Sequence, residues 1–284
     1  MSTLKPLQLG VIFWASSSKP AQEQLKNLKA MGISCAQMGC SGDFDPGSNP
    51  AAKAAEWKAA AEAEGFTLLT VTAAYNGEDY ADIPTVVRTV GFIPKATRAE
   101  REARTIALCD FAKAAGIPAF ACHIGFVPAD HSHPDFKDVQ AMVKRICDHC
   151  AANGQTFHLE TGQEPADVLL HFLEDTGKAN LVINFDPANM ILYGTGDPIE
   201  AMEVLKKHIR SVHVKDGDWP DKTKPGTLGT EKPLGSGSVG IPRYVAKLKE
   251  IGFTGPLVIE REGTSPEQWN NDVRGAMQLL NSLV

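Results

Sequence analysis

The chain has 284 residues, of which 43% are hydrophobic and 22% charged, a balance that builds a large core and excludes a disordered or fibrous chain. Its net charge of −6 offers no basic field for phosphates, which excludes general binding to nucleic acid or to an anionic membrane surface. The length would accommodate two average domains, but α/β barrels commonly fill roughly 200 to 300 residues as one unit. One domain over residues 1–284 is therefore expected.

In chain order, short β-type runs alternate with amphipathic helical stretches. Residues 8–15 (QLGVIFWA) read as the first strand; the apolar run is too short to cross a membrane and lacks a secretory-signal pattern. AQEQLKNLKAMG follows as a helix, then a strand at 34–39, a helix in NPAAKAAEWKAAAEAEG and a strand at 66–74. Next come a helix in TRAEREARTIALCDFAKAAG, a strand at 118–125 and a helix in DFKDVQAMVKRICDHCAANG. Each of these four helical segments closes on glycine, the usual C-terminal stop. Strands at 156–162, 181–188, 209–216 and 256–262 then alternate with helices at 165–176, 198–208, 242–250 and 266–283.

Repeated strand–helix units with right-handed crossovers make a parallel sheet, and eight of them close into a single α/β unit, a (β/α)8 TIM barrel. The competing doubly wound sheet lacks its Gly-rich turn, because WASSSKP follows the first strand. The six cysteines lie in apolar segments rather than at turns, so a reducing, cytoplasmic location is expected and a disulfide framework is not. Cys147 and Cys150 flank His149 within a helical pattern and have no second pair; they read as small buried helix residues rather than a zinc site.

A buried parallel strand should be almost wholly apolar, and the second half of the chain departs from that rule in an orderly way. With the strand period of two, His158 and Glu160 share one face, as do Asn184 and Asp186, then Ser211, His213 and Lys215, then Val258 and Glu260. The opposite faces carry Phe157, Leu159, Ile183, Phe185, Val212, Val214, Leu257 and Ile259 and should meet the helices. Glu160 to Asp186 is 26 positions and Asp186 to His213 is 27, one unit each; His213 to Glu260 is 47, one unit plus a glycine-rich insertion. All four fall at the late ends of their strands, the rim where barrel active sites are built. Four ionisable groups buried together cost several kcal/mol each unless compensated, and a cation is the simplest compensation. Three carboxylates and an imidazole suit one divalent metal ion, Mn²⁺ first, with Mg²⁺, Co²⁺ or Zn²⁺ as alternatives.

HLETGQE, NFDPANM, SVHVKDGD, PLGSGSVGIP and LVIERE resemble the motifs of the xylose isomerase-like barrel superfamily, in its sugar phosphate isomerase/epimerase group. The resemblance carries metal ligation to Glu160, Asp186, His213 and Glu260, and implies that Glu160 and Glu260 act as the catalytic proton-transfer pair. It departs at Asn189, where many members have a histidine. Such a site suits enolisation: a cation chelating a carbonyl and a neighbouring hydroxyl stabilises the enediolate, and a carboxylate removes the α-proton. The expected reaction is isomerisation or epimerisation of a monosaccharide or keto-sugar. A lyase that cleaves 3-keto-glycosides by β-elimination is the alternative, and an endonuclease IV-like nuclease a further one that lacks its extra histidines here. His123, Lys215 and Trp14 are candidate substrate contacts. His131 and His133, in HSHPD, read as a loop reaching over the mouth. The expected partner is a small sugar, with neither nucleic acid nor membrane; monomer and homo-oligomer both stay open.

Overall fold

A computed structural model describes residues 4–42, 44, 46 and 49–284. Ten strands appear among them: β1 (Leu9–Trp14), β2 (Cys35–Cys40), β3 (Thr67–Ala73), β4 (Ala119–Cys122), β5 (Thr156–Glu160), β6 (Leu181–Phe185), β7 (Ile209–Val214), β8 (Asp216–Asp218), β9 (Thr230–Lys232) and β10 (Leu257–Ile259). All but β8 and β9 form a closed barrel in the order β1-β10-β7-β6-β5-β4-β3-β2, with parallel pairing at every seam. The eight strands read from the alternation are the eight of the barrel.

Around it run α1 (Ala21–Ala30), α2 (Pro50–Glu64), α3 (Ile83–Thr89), α4 (Arg98–Ala115), α5 (Pro134–Ala152), α6 (Ala166–Thr176), α7 (Pro187–Tyr193), α8 (Pro198–Leu205), α9 (Ile241–Glu250) and α10 (Pro266–Asn281). The helix stops follow the glycines: α2 and α4 end on Gly65 and Gly116 in the left-handed conformation. The outward strand residues Phe157, Leu159, Ile183, Phe185, Val212, Val214, Leu257 and Ile259 are buried in one cluster with the helix faces. Among the described residues no helix is long and apolar enough to cross a membrane.

The boundaries need correction by two residues at 156–162 and 209–216, which end at Glu160 and Val214, and by three residues at three further strands. The segments expected at 118–125, 181–188 and 256–262 stop at Cys122, Phe185 and Ile259. At Phe185 the cause is local: Pro187 begins α7, and the Asp186 side chain accepts from the Asn189 N–H at 2.9 Å as its cap. Two short helices, α3 and α7, and the antiparallel β8–β9 hairpin were not expected. Each helix is seven residues long, too short to display an amphipathic period, and the hairpin lies within the glycine-rich insertion.

Candidate active site

The late ends of β5, β6, β7 and β10 bring Glu160, Asp186, His213 and Glu260 together. One potential ligand atom from each lies within 4.8 Å of the others, and all four residues are buried. Glu160 is the last residue of β5 and Asp186 the first beyond β6. Glu260 follows β10, where its own N–H still continues the ladder to the Val214 carbonyl at 3.2 Å. Thr161 locks Asp186 from behind, accepting from its N–H at 2.8 Å and donating to its carbonyl at 3.0 Å. The Asp186 carboxylate serves two ends: Oδ1 caps α7, and Oδ2 lies 3.3 Å from His213 Nδ1.

His213 Nδ1 also faces Glu160 Oε1 at 3.2 Å and Glu260 Oε2 at 2.5 Å. Its Nε2 lies 2.8 Å from the Gln37 Oε1 and donates to it, which leaves Nδ1 for the carboxylates, as an N–H while His213 is charged and as a lone pair once a cation sits between them. The Asn184 amide nitrogen is 3.1 Å from the same Nε2; two N–H donors cannot satisfy each other, and the shorter contact with the Gln37 oxygen decides the tautomer. Behind Gln37 the polar chain continues inside the barrel. Gln37 Nε2 and the Ser211 hydroxyl donate to Asn184 Oδ1 at 3.1 and 2.6 Å, and His158 Nδ1 donates to Ser211 Oγ at 2.7 Å. The Thr156 hydroxyl then donates to His158 Nε2 at 2.7 Å. Burial, aided by Arg210, pushes His158 down to about 4, which keeps it neutral as this chain of donors requires.

Burial by itself would raise the carboxyl groups, but nearby cations outweigh it. Glu160 is held below its ordinary value by His123 and His213, Asp186 by Lys215 and His213, and Glu260 by His213 and Lys215. Burial likewise disfavours a charged His213, yet Glu260 and Glu160 raise it well above the usual histidine range. Three carboxylates crowded on one nitrogen call for a positive charge at their centre. The donor set fits a divalent cation: Glu260 Oε2 is buried and makes no well-formed hydrogen bond among the described residues.

A cavity of about 500 Å³ opens above this cluster, lined in part by Trp14, His123, Glu160, Asn189, Lys215 and Glu260, within the usual range for small-molecule sites. The three secondary candidates from the sequence thus meet at one mouth. His123 Nε2 lies 3.6 Å from Glu160 Oε1, and its Nδ1 is buried without a hydrogen-bond partner. Lys215 is buried rather than free at the rim; its Nζ lies 3.3 Å from both Glu260 Oε1 and Glu262 Oε2 and 3.9 Å from Glu231 Oε2. Trp14 is 44% exposed. His131 and His133 do not reach over the mouth: His131 stacks on Phe136 and pairs with Asp175, while His133 caps α5. The Asn189 amide bridges the site instead, donating to Glu160 Oε1 at 3.2 Å and accepting from Lys215 at 3.4 Å.

Sequence reasoning missed Gln37, Glu231, Glu262 and Tyr80, the last of which lines the cavity beside His123, with ring centroids 6.3 Å apart. Gln37 carried a usable signal, a lone amide within the apolar strand β2. Glu231 arrives through the β8–β9 hairpin, which Asp216 pins by accepting from the N–H groups of Gly217, Gly235, Gly237 and Val239. The same insertion meets α3 across the mouth, where the Ile83 N–H donates to the Gly226 carbonyl at 2.9 Å.

Residues 25–283 match the family described as xylose isomerase-like TIM barrel. The chain belongs to that family. A xylose isomerase domain protein from Planctomyces limnophilus is 40% identical over 97% of each chain, with a TM-score of 0.89. The 3-keto-D-glucoside 4-epimerase of E. coli is 15% identical over 97% of this chain and 99% of its own, with a TM-score of 0.68. A D-allulose 3-epimerase from Methylomonas sp., solved with D-allulose, is 15% identical over 100% of this chain and 99% of its own, at 0.70. These two remote relatives establish a shared fold. A comparison with curated proteins gives no match.

Proposed function

We propose that this member of the xylose isomerase-like family is a divalent-metal-dependent sugar epimerase or isomerase that moves a proton on the carbon next to a carbonyl. The observation that carries this reading is the convergence of three buried carboxylates on His213 Nδ1 beneath an open cavity. Glu160, Asp186, His213 and Glu260 would hold the ion, for which Mn²⁺ is our assignment from the oxygen-rich donor set. When bound, it supplies an electrophile for the negative charge that develops on a sugar carbonyl oxygen.

The two glutamates differ in a way that suggests their roles. Glu160 Oε1 is engaged by Asn189 and faces His213, while Oε2 has no hydrogen-bond partner among the described residues. We assign it the removal of the α-proton. Glu260 directs Oε2 to His213 and Oε1 to Lys215, a less basic arrangement suited to returning a proton. His123 and Lys215 are suited to hold substrate hydroxyls, and Trp14 to take a ring face. The sugar is unphosphorylated in this reading. Lys215 is the one lysine or arginine lining the cavity among the described residues, and Glu231, Glu260 and Glu262 surround it, so a phosphate would meet carboxylates. The names of the two remote structural neighbours, both sugar epimerases, agree with this reaction class.

The test is solvent exchange. With Mn²⁺-loaded protein in D₂O, a turned-over keto-sugar should gain deuterium beside its carbonyl. Glu160→Gln and Glu260→Gln should each suppress this while the barrel stays folded. A substrate deuterated at that carbon that shows neither label loss nor an isotope effect, with chemistry rate-limiting, rejects the mechanism.

A further inference from the structure

The cavity above the carboxylates is not closed on the β1 side. Ile12, Trp14, Glu262 and Gly263 line it and also line a second cavity of about 460 Å³, which runs outward between α1 and the start of α10. That groove carries Trp269, Asn27 and Asn270 on its walls, and the same three residues continue into a third hollow further along the seam. Trp14 therefore stands as a partition with one cavity on each side. Its indole is seated on Gly39, where an added Cβ would come within 2.6 Å of the ring.

Three charged residues, Lys19, Arg261 and Glu262, line the groove, but Arg261 and Glu262 are held in ion pairs, and Asn27, Trp269 and Asn270 form an uncharged patch. The side chains of Asn27 and Asn270 make no hydrogen bond among the described residues, whereas Gln24 and Arg261 in the same wall are committed. Gln24 donates to the Ser16 and Lys19 carbonyls, and Arg261 to Asp272 and Glu231. An indole face flanked by free amides is suited to a pyranose, which offers one apolar face and a rim of hydroxyls.

We propose that the groove is a second sugar subsite. The substrate is then a keto-disaccharide whose oxidised ring sits over Glu160 and Glu260, while the linked ring passes between Trp14 and Gly263 to lie on Trp269. This rests on the proposed function. Because the anomeric carbon of the reacting ring is locked in the glycosidic bond, its carbonyl must be a ring ketone rather than an opened aldehyde.

The probes are 3-ketoglucose and a glucosyl disaccharide oxidised at C3 of its non-reducing ring, each given to the Mn²⁺-loaded full chain in D₂O. The disaccharide should exchange with kcat/KM about tenfold above the monosaccharide, the scale of one aromatic packing contact. Trp269→Ala and Asn270→Ala should each bring that ratio close to one. A ratio near one in the unmodified protein, or an undiminished ratio in both variants, overturns the subsite. If neither sugar exchanges, the reading of the reaction fails separately, and tryptophan fluorescence titration with the disaccharide still decides the groove. Saturable quenching that is lost in Trp269→Ala supports it. Absence of quenching, or an effect of Trp269→Ala on oligomeric state alone, overturns it.

Discussion

Gln37→Leu is the most informative perturbation, because Gln37 touches no reacting atom. Gln37 and His213 are both wholly buried, and the 2.8 Å contact from Nε2 to Gln37 Oε1 supplies the acceptor that fixes the tautomer. Leucine fills similar space but leaves a buried N–H unpaired, at a stability cost of about 1–3 kcal/mol. Freed from its partner, the imidazole can reorient or move its proton to Nδ1, the nitrogen that must stay open toward Glu160, Asp186 and Glu260. Losing the hydrogen-bond partner behind a ligand histidine typically weakens metal binding about 10- to 100-fold, or about 1.4–2.7 kcal/mol. Calorimetric titration of Mn²⁺ into demetallated protein near pH 7.5, wild type against variant, measures the affinity, and a melt followed by circular dichroism measures the fold. Thr72→Val is the control: its hydroxyl meets the same Gln37 oxygen at 3.4 Å, a weak contact, so affinity should drop far less. An intact Gln37→Leu barrel with wild-type Mn²⁺ affinity would refute the claim that Gln37 sets the state of His213.

The other predictions concern the ligands, pH and a strained turn. Asp186→Asn should abolish stoichiometric metal by elemental analysis while keeping the α7 cap; Asp186→Ala should lose both and melt with about 1 kcal/mol less stability than the Asn variant. Glu164 is buried, which pushes its carboxyl up to about 7 even though the Val127 N–H donates to it. Between about pH 4.5 and 7 the folded state thus binds more protons than the unfolded one, and stability falls as pH rises through that window. Glu164→Gln keeps the acceptor and should remove this dependence, gaining on wild type by about 2–3 kcal/mol at pH 8 relative to pH 4 in urea melts. Gly91 has φ +68°, and an added Cβ would lie 2.1 Å from the Ile124 carbonyl carbon; Gly91→Ala should cost more than about 2 kcal/mol by the same melts. Abasic DNA should not be nicked by the Mn²⁺-loaded protein in a gel assay, and metal-dependent nicking lost in Glu260→Gln would promote the nuclease reading.

The sequence by itself determined the barrel and the four converging residues, for one physical reason: a parallel strand buried on both faces tolerates polar side chains only where something inside requires them. Glu160, Asp186, His213 and Glu260 broke the apolar rule at the strand ends with a period of two, spaced by one unit twice and then by one unit plus the glycine-rich insertion, so their common face was legible before any contact was known. Only the tertiary structure decided what depends on closure of the sheet and on loops. Gln37 reaches His213 across 176 positions, and no local pattern encodes that pairing. Lys215 reads from the sequence as a candidate substrate contact on the face of His213, but its buried setting depends on the hairpin, which brings Glu231, and on the end of β10, which brings Glu260 and Glu262, around its ammonium. The seam that joins the cavity to the groove beside Trp269 lies between the first and last helices, α1 and α10, elements that become neighbours only when the eighth barrel strand pairs with the first.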